Sequence, residues 1–113
     1  MEPELDLSIL ADACGGNMTV IGMALRLFVQ TTRADLAKLD AVVASENVDG
    51  TLASAHRIKG AARQIGASAV MAASQEIEAA AELPDWPVIR AALPRLKAGF
   101  EALEAHIAQH YPG

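Results

Sequence analysis

Two long stretches of the chain carry apolar residues at the spacing of an α-helix, and this spacing restricts the fold more than any other feature. The stripe of the first stretch, which runs from Met18 to about Ser45, consists of Ile21, Leu25, Phe28, Thr32, Leu36, Leu39 and Val43. The stripe of the last stretch consists of Ile89, Leu93, Leu96, Phe100, Leu103 and Ile107. Because residues three and four positions apart share one face of a helix, each stretch predicts an amphipathic helix with one buried side.

Two shorter helices are predicted between the long ones. The third helix of the chain runs from about Thr51 to Ile65, and its inner face consists of Ala55, Ile58, Ala62 and Ile65. The fourth runs from about Ser68 to Glu82, and it buries Val70, Ser74, Ile77 and Ala81. Gly66 ends the third helix, the segment "LPDWP" ends the fourth, and Asp85 within that segment caps the last one.

The segment "LDLSILADAC" predicts a short first helix that stops at Gly15 and Gly16, after which Asn17 caps the second helix. A chain of 113 residues is long enough for one hydrophobic core and too short for two. We therefore expect a single all-α domain over residues 1–113. Its architecture is an antiparallel up-and-down four-helix bundle with an additional short N-terminal helix.

Charge and hydropathy exclude several classes of protein. The net charge is −5 and the basic residues form no runs, which argues against a nucleic-acid surface. The most apolar window, "VIGMALRLFV", is too short to cross a bilayer, and no signal peptide precedes it. Cys14 has no second cysteine to pair with. We expect a cytoplasmic monomer that neither binds nucleic acid nor inserts into a membrane.

The segment "AHRIKGAARQIGA" places Gly60 inside a helix, where glycine costs roughly 1 kcal/mol relative to alanine. On a helical wheel, His56, Lys59, Gly60 and Arg63 share an arc of roughly 100° that faces away from the inner residues. Gly60 therefore opens an approach path to the imidazole. A neutral imidazole is a nucleophile near pH 7, and the two cations can offset charge on phosphoryl oxygens. The segment predicts His56 as a phosphoryl acceptor, with Lys59 and Arg63 as stabilising groups.

Glu78 is a candidate partner for His56. If the third and fourth helices form an antiparallel hairpin about Gly66, Glu78 comes level with His56. Its carboxylate then accepts a hydrogen bond from one ring nitrogen, which fixes the tautomer and leaves the other nitrogen free to attack. The alternative is that Glu78 is an ordinary solvated carboxylate on the helix surface.

The same segment resembles the signature of the histidine-containing phosphotransfer (HPt) domains of multistep phosphorelays. The segments "GGNMTVIGMALRLFVQTT" and "QEIEAA" are similar to the family as well, so that the resemblance covers residues from about 5 to 81. The motif is most similar to HPt modules at the C-termini of hybrid sensor kinases of the virulence-regulating type. One departure is that Arg63 and Gln64 stand where many members carry small residues, which can tune the choice of partner.

The resemblance implies that His56 accepts a phosphoryl group from an aspartate of one receiver domain and passes it to an aspartate of another. It also implies a carrier without a catalytic site, metal or nucleotide of its own, because Mg²⁺ belongs to the receiver in this family. The chain is then either free-standing or the cytoplasmic portion of a membrane-bound hybrid kinase. The alternative function is a helical adaptor or inhibitor that docks on a receiver or kinase without being phosphorylated.

Two further features have ordinary explanations. His106 and His110 are four residues apart and could form half of a metal site, but no motif supplies further ligands, so we expect no metal. The residues Val20, Met23 and Leu27 form an apolar strip opposite the core stripe of the second helix. We expect the short first helix to cover this strip, and the alternative is that the strip contacts a receiver.

Overall fold

The computed structural model describes residues 3–111, which form five α-helices and no strand. The helices are α1 (Ser8–Ala13), α2 (Met18–Ala44), α3 (Val48–Gln64), α4 (Ser68–Ala81) and α5 (Trp86–His110). Helices α2 to α5 pack in sequence order, and α5 also packs against α2, which closes the bundle. The predicted all-α bundle with a short additional N-terminal helix is confirmed. Within the described residues, no helix is both long enough and apolar enough to cross a membrane.

The predicted stripes form the core. Every residue of the two long stripes is buried, and so is the inner face of each shorter helix. Thr32 is fully buried among apolar side chains, and its hydroxyl finds no hydrogen-bond partner among the described residues. Burial of a Leu or Ile side chain contributes about 1.5–3 kcal/mol, so these stripes supply the main driving force for the bundle.

The helix ends follow the predicted capping residues with one exception. The side chain of Asn17 accepts hydrogen bonds from backbone N–H groups at the start of α2, and Asp85 does the same for α5. Gly66 has a φ of +60° and ends the hairpin between α3 and α4 with a left-handed residue. The exception is α3, which begins at Val48 rather than at about Thr51.

The early start of α3 has two local causes. The side chain of Asn47 accepts a hydrogen bond from the backbone N–H of Gly50 at 2.8 Å, which caps the helix before the glycine. Gly50 itself lies so close to α2 that an added Cβ would be 2.6 Å from Cγ1 of Val42. This glycine therefore permits close packing of two helices instead of breaking one.

The prediction that α1 covers the apolar strip of α2 is wrong. Val20, Met23 and Leu27 are 43%, 57% and 58% exposed, respectively. The N-terminal segment packs over the turn between α3 and α4 instead, where the backbone N–H of Asp6 donates to the carbonyl of Ile65 at 3.2 Å. The apolar side chains of this segment pack against the buried core and leave the strip exposed; they are Leu5, Leu7, Leu10 and Ala11.

Candidate functional site

His56 lies near the middle of α3, on the side that faces solvent. Its neighbours Ala55 and Ile58 are fully buried, whereas 71% of the His56 side chain is exposed. The helix is therefore anchored by its inner face and holds the imidazole outward on a rigid backbone. Because the hairpin to α4 turns at Gly66, side chains of α4 come level with this part of α3.

Glu78 of α4 contacts the imidazole. Its Oε2 atom lies 2.7 Å from Nδ1 of His56, and its side chain is 15% exposed. Partial burial raises the pKa of Glu78, but the hydrogen bonds from Lys59 and His56 together outweigh it and hold the pKa below its ordinary value. The carboxylate is thus ionised at neutral pH and can only accept hydrogen bonds.

This contact determines which ring nitrogen of His56 carries the proton. An ionised carboxylate requires a donor opposite it, so Nδ1 of His56 must hold a hydrogen. In the neutral imidazole, Nε2 then has its lone pair free. A nucleophilic nitrogen on an exposed side chain, with its tautomer held by a carboxylate, can attack an electrophilic phosphorus brought by another molecule.

Lys59 lies one turn from His56 but does not stand free in solvent. Its ammonium group donates to Oε1 of Glu78 and, at 2.9 Å, to Oε1 of Gln75, and its side chain is only 14% exposed. An ammonium group has three N–H bonds, and these two contacts use two of them. The third remains available for an oxygen of an incoming group.

Gln75 belongs to this cluster although no sequence motif singles it out. This residue lies one turn before Glu78 on α4, and the hairpin register that pairs Glu78 with His56 also pairs Gln75 with Lys59. The hairpin register alone therefore predicts the contact between Gln75 and Lys59. Glutamine itself draws no attention in the sequence, because it carries no charge and forms part of no motif in this segment.

Gly60 and Arg63 lie on the same side of α3 as His56. A Cβ atom added to Gly60 would meet nothing within 4 Å, so the glycine borders open space and is not a packing contact between helices. Arg63 is exposed two helical turns after His56 and takes part in none of the ion pairs seen in residues 3–111. On the other side of the imidazole, Arg57 pairs with Asp35 of α2 at 3.2 Å.

The two C-terminal histidines lie away from this cluster. The ring centroids of His106 and His110 are 4.3 Å apart, and the rings are tilted by 42°. In the part of the chain that the structure describes, no group of three or more His, Cys, Asp or Glu side chains could hold a metal ion. The absence of a metal site stays a prediction.

The lowered pKa of Glu78 predicts a specific loss of stability in acid. A carboxyl group whose pKa is lower in the folded state contributes stability that is present above its ordinary pKa of 4.5 and is lost as the pH falls through the folded value. Glu78→Gln should therefore be less stable than the wild type at pH 7, and the difference should shrink below about pH 4.5. Urea unfolding between pH 2.5 and 7 measures it. The control Glu101→Gln removes an exposed carboxylate of α5, and an equal effect of both variants would contradict a special role of Glu78.

Two solved structures share this fold. The histidine-containing phosphotransfer protein B (HptB) of Pseudomonas aeruginosa PAO1 superposes with a TM-score of 0.88 over 98% of this chain and 96% of its own, at 21% identity. The HPT domain of a sensor hybrid histidine kinase from Shewanella superposes with a TM-score of 0.69 over 93% of this chain and 94% of its own, at 17% identity. A search of curated protein sequences gave no significant match. The bundle is thus that of a histidine phosphotransfer domain.

The family itself is shown by sequence. The family model described as "Hpt domain" matches residues 23–106, which is most of the chain and includes α3 and α4 entirely. The chain therefore belongs to the Hpt domain family. It is a phosphocarrier of a phosphorelay that works with receiver domains, as the sequence analysis predicted.

Proposed function

We propose that His56 is the residue that carries the phosphoryl group. In this mechanism, Nε2 of His56 attacks the phosphorus of a receiver's aspartyl phosphate. The N–P bond forms as the P–O bond to the aspartate breaks, and the electron pair leaves on the aspartate carboxylate. Transfer to a second receiver reverses these steps. The observation that carries the proposal is the 2.7 Å contact between Nδ1 of the exposed His56 and Glu78.

The neighbouring side chains have distinct roles in this proposal. Glu78 keeps the proton on Nδ1 before transfer and balances the positive charge that the imidazole acquires when Nε2 bonds to phosphorus. The third N–H bond of Lys59 meets a phosphoryl oxygen and offsets its charge. Gly60 leaves room for the loops of the receiver beside the imidazole. Arg63 is exposed on the same side of α3, two helical turns after His56, and we propose no contact between it and the phosphoryl group.

The remaining parts of the proposal concern the partners. The receiver supplies the Mg²⁺ ion, and this domain contributes no metal, nucleotide or catalytic site of its own. It acts as a monomer in the cytoplasm, either by itself or as a module of a hybrid sensor kinase. The alternative adaptor would bind the same receivers without taking up phosphate.

Locating the phosphate on the protein tests the acceptor. Receiver domains from the same organism are loaded with acetyl phosphate and incubated with the wild-type domain. We expect phosphate that is labile in acid and stable in base, and ³¹P and ¹⁵N spectra should assign it to Nε2 of His56. Phosphate on another residue would contradict the proposal. Receiver binding without any phosphate on the domain would support the adaptor instead.

Replacing Lys59 should slow transfer and also cost stability. Lys59→Ala removes a half-buried partner of Glu78, so we expect the free energy of unfolding to fall by about 1 kcal/mol. Transfer at saturating receiver should fall by roughly tenfold or more, since an electrostatic contact to the reacting group is lost. Lys59→Arg keeps the positive charge and is the matched control. Wild-type transfer by Lys59→Ala at saturating receiver would limit this lysine to a structural role.

A further inference from the structure

A cleft between α3 and α4 adjoins the proposed phosphorylation site. Its volume is about 320 Å³, and its lining residues are Lys59, Arg63, Ser68, Met71, Ala72 and Gln75. One end of the cleft lies beside the contacts among Lys59, Gln75 and Glu78. From there it extends along both helices toward the turn at Gly66. The cleft is therefore continuous with the surface that a partner must cover to reach His56.

The two cations that line the cleft differ in whether an ion pair balances their charge. The charge of Lys59 is balanced by Glu78, with which it forms an ion pair. Arg63 is exposed and belongs to none of the ion pairs observed between residues 3 and 111. The wall between them includes the half-buried side chain of Met71 and the exposed methyl group of Ala72. The cleft thus combines an apolar wall with one positive charge at its rim.

The surface on the other side of His56 differs. There Arg57 already pairs with Asp35 of α2, so its charge is balanced within the bundle. The other arginine of α3, Arg63, forms no ion pair with any of the described residues. A negatively charged group of a partner would therefore find an unpaired arginine on the α4 side of the imidazole and not on the α2 side.

The distance between Arg63 and His56 decides which partner can reach both. Seven residues of helix correspond to about 10 Å along the axis of α3. A protein interface of standard size covers about 800 Å² on each partner, which corresponds to a disc of roughly 16 Å radius. A receiver centred on His56 therefore covers Arg63 as well, and Gly60 between them adds no side chain that would hold the receiver away.

On these grounds, and resting on the function proposed above, we propose that the α3–α4 cleft is a second contact site for the receiver. Arg63 selects among receivers by pairing with a carboxylate that the receiver presents beside an apolar side chain, which packs against Met71 and Ala72. This role differs from the phosphoryl stabilisation predicted for Arg63 from the sequence. A charge at the rim of an interface mainly changes the association rate and its salt dependence.

The test compares two charge reversals of equal size. Arg63→Glu lies in the cleft, whereas Arg90→Glu changes an exposed arginine of α5 and serves as the control. With the receiver that the wild type prefers, Arg63→Glu should raise the KM for phosphorylated receiver at least tenfold and leave the rate at saturation unchanged. It should also weaken the dependence of KM on ionic strength and change the order of preference within a panel of receivers. Arg90→Glu should match the wild type in all of these.

Two outcomes would overturn the inference. The first is an Arg63→Glu variant whose KM and receiver preference equal those of Arg90→Glu. The second is a lowered rate at saturation with an unchanged KM, which would assign Arg63 to the phosphoryl group. Titration calorimetry with unphosphorylated receiver measures binding without any transfer, so the docking role is tested even if His56 proves not to be the acceptor. Thermal unfolding of both variants confirms that they are folded.

Discussion

Replacing His56 with glutamine should abolish phosphoryl transfer and leave the bundle folded. Glutamine retains a polar side chain of similar length but has no nucleophilic ring nitrogen, so the N–P bond cannot form. The fold should survive because 71% of the His56 side chain is exposed and no core contact is lost. The loss of its hydrogen bond to Glu78 should cost about 1 kcal/mol at most. Phosphate incorporation from a loaded receiver and thermal unfolding measure the two effects.

A second histidine on the same chain provides the control. His106→Gln changes a half-buried histidine of α5, away from the cluster around Glu78, and should transfer phosphate at the wild-type rate. Phosphate on the folded His56→Gln variant, or its loss in His106→Gln, would show that another residue is the acceptor. Because both variants make the same substitution, a general effect of replacing histidine by glutamine cancels in the comparison.

The arrangement of the helices in a bundle could be predicted from the sequence, because it depends on the periodicity of the apolar residues. Apolar stripes determine which face of each helix is buried, and the capping residues Asn17 and Asp85 determine where two helices begin. The predicted start of α3 is about three residues too late, although Asn47 caps this helix as Asn17 caps α2. Gly50 is a poor helix former and therefore indicates a break at this point. Only its close approach to Val42 in the folded bundle shows why the helix runs through a glycine.

Some contacts of the site could likewise be predicted from the sequence, and others could not. The pairing of His56 with Glu78 follows from the hairpin register, which the sequence contains once Gly66 is recognised as the turn. The burial of Lys59 does not follow, because a lysine on the solvent side of a helical wheel can still bend toward a carboxylate of the neighbouring helix. The exposure of the apolar strip on α2 could not be predicted either, since the path of the N-terminal segment depends on its contact with the turn near Ile65.

Substitution of Gly60 should change the stability of the fold and the rate of phosphoryl transfer in opposite directions. Gly60→Ala should raise the free energy of unfolding by up to about 1 kcal/mol, since an added Cβ meets no atom within 4 Å and alanine is the better helix former. Gly60→Gln should likewise remain folded. Its side chain, however, would occupy the open space beside His56 through which the receiver approaches.

The expected loss of transfer follows from geometry. The reacting nitrogen and phosphorus must come to about 3–3.5 Å, and a displacement of 1 Å can cost on the order of 100-fold in rate. Gly60→Ala should therefore transfer at close to the wild-type rate, whereas Gly60→Gln should be slower by at least tenfold. Single-turnover transfer from a loaded receiver and urea unfolding, both carried out on the same preparations, measure the two quantities.

Gly50 of the same helix is closely packed, unlike Gly60, and so serves as the control for the Gly60 variants. An added Cβ at Gly50 would lie 2.6 Å from Cγ1 of Val42, a β-branched side chain with little freedom to move aside. Gly50→Ala should therefore destabilise the bundle while the folded fraction transfers normally. If Gly60→Ala behaved like Gly50→Ala, with lower stability and normal transfer per folded molecule, Gly60 would be a packing residue. A stable Gly60→Gln with impaired transfer would instead establish that the glycine is required by the partner, because within the bundle alanine would serve better.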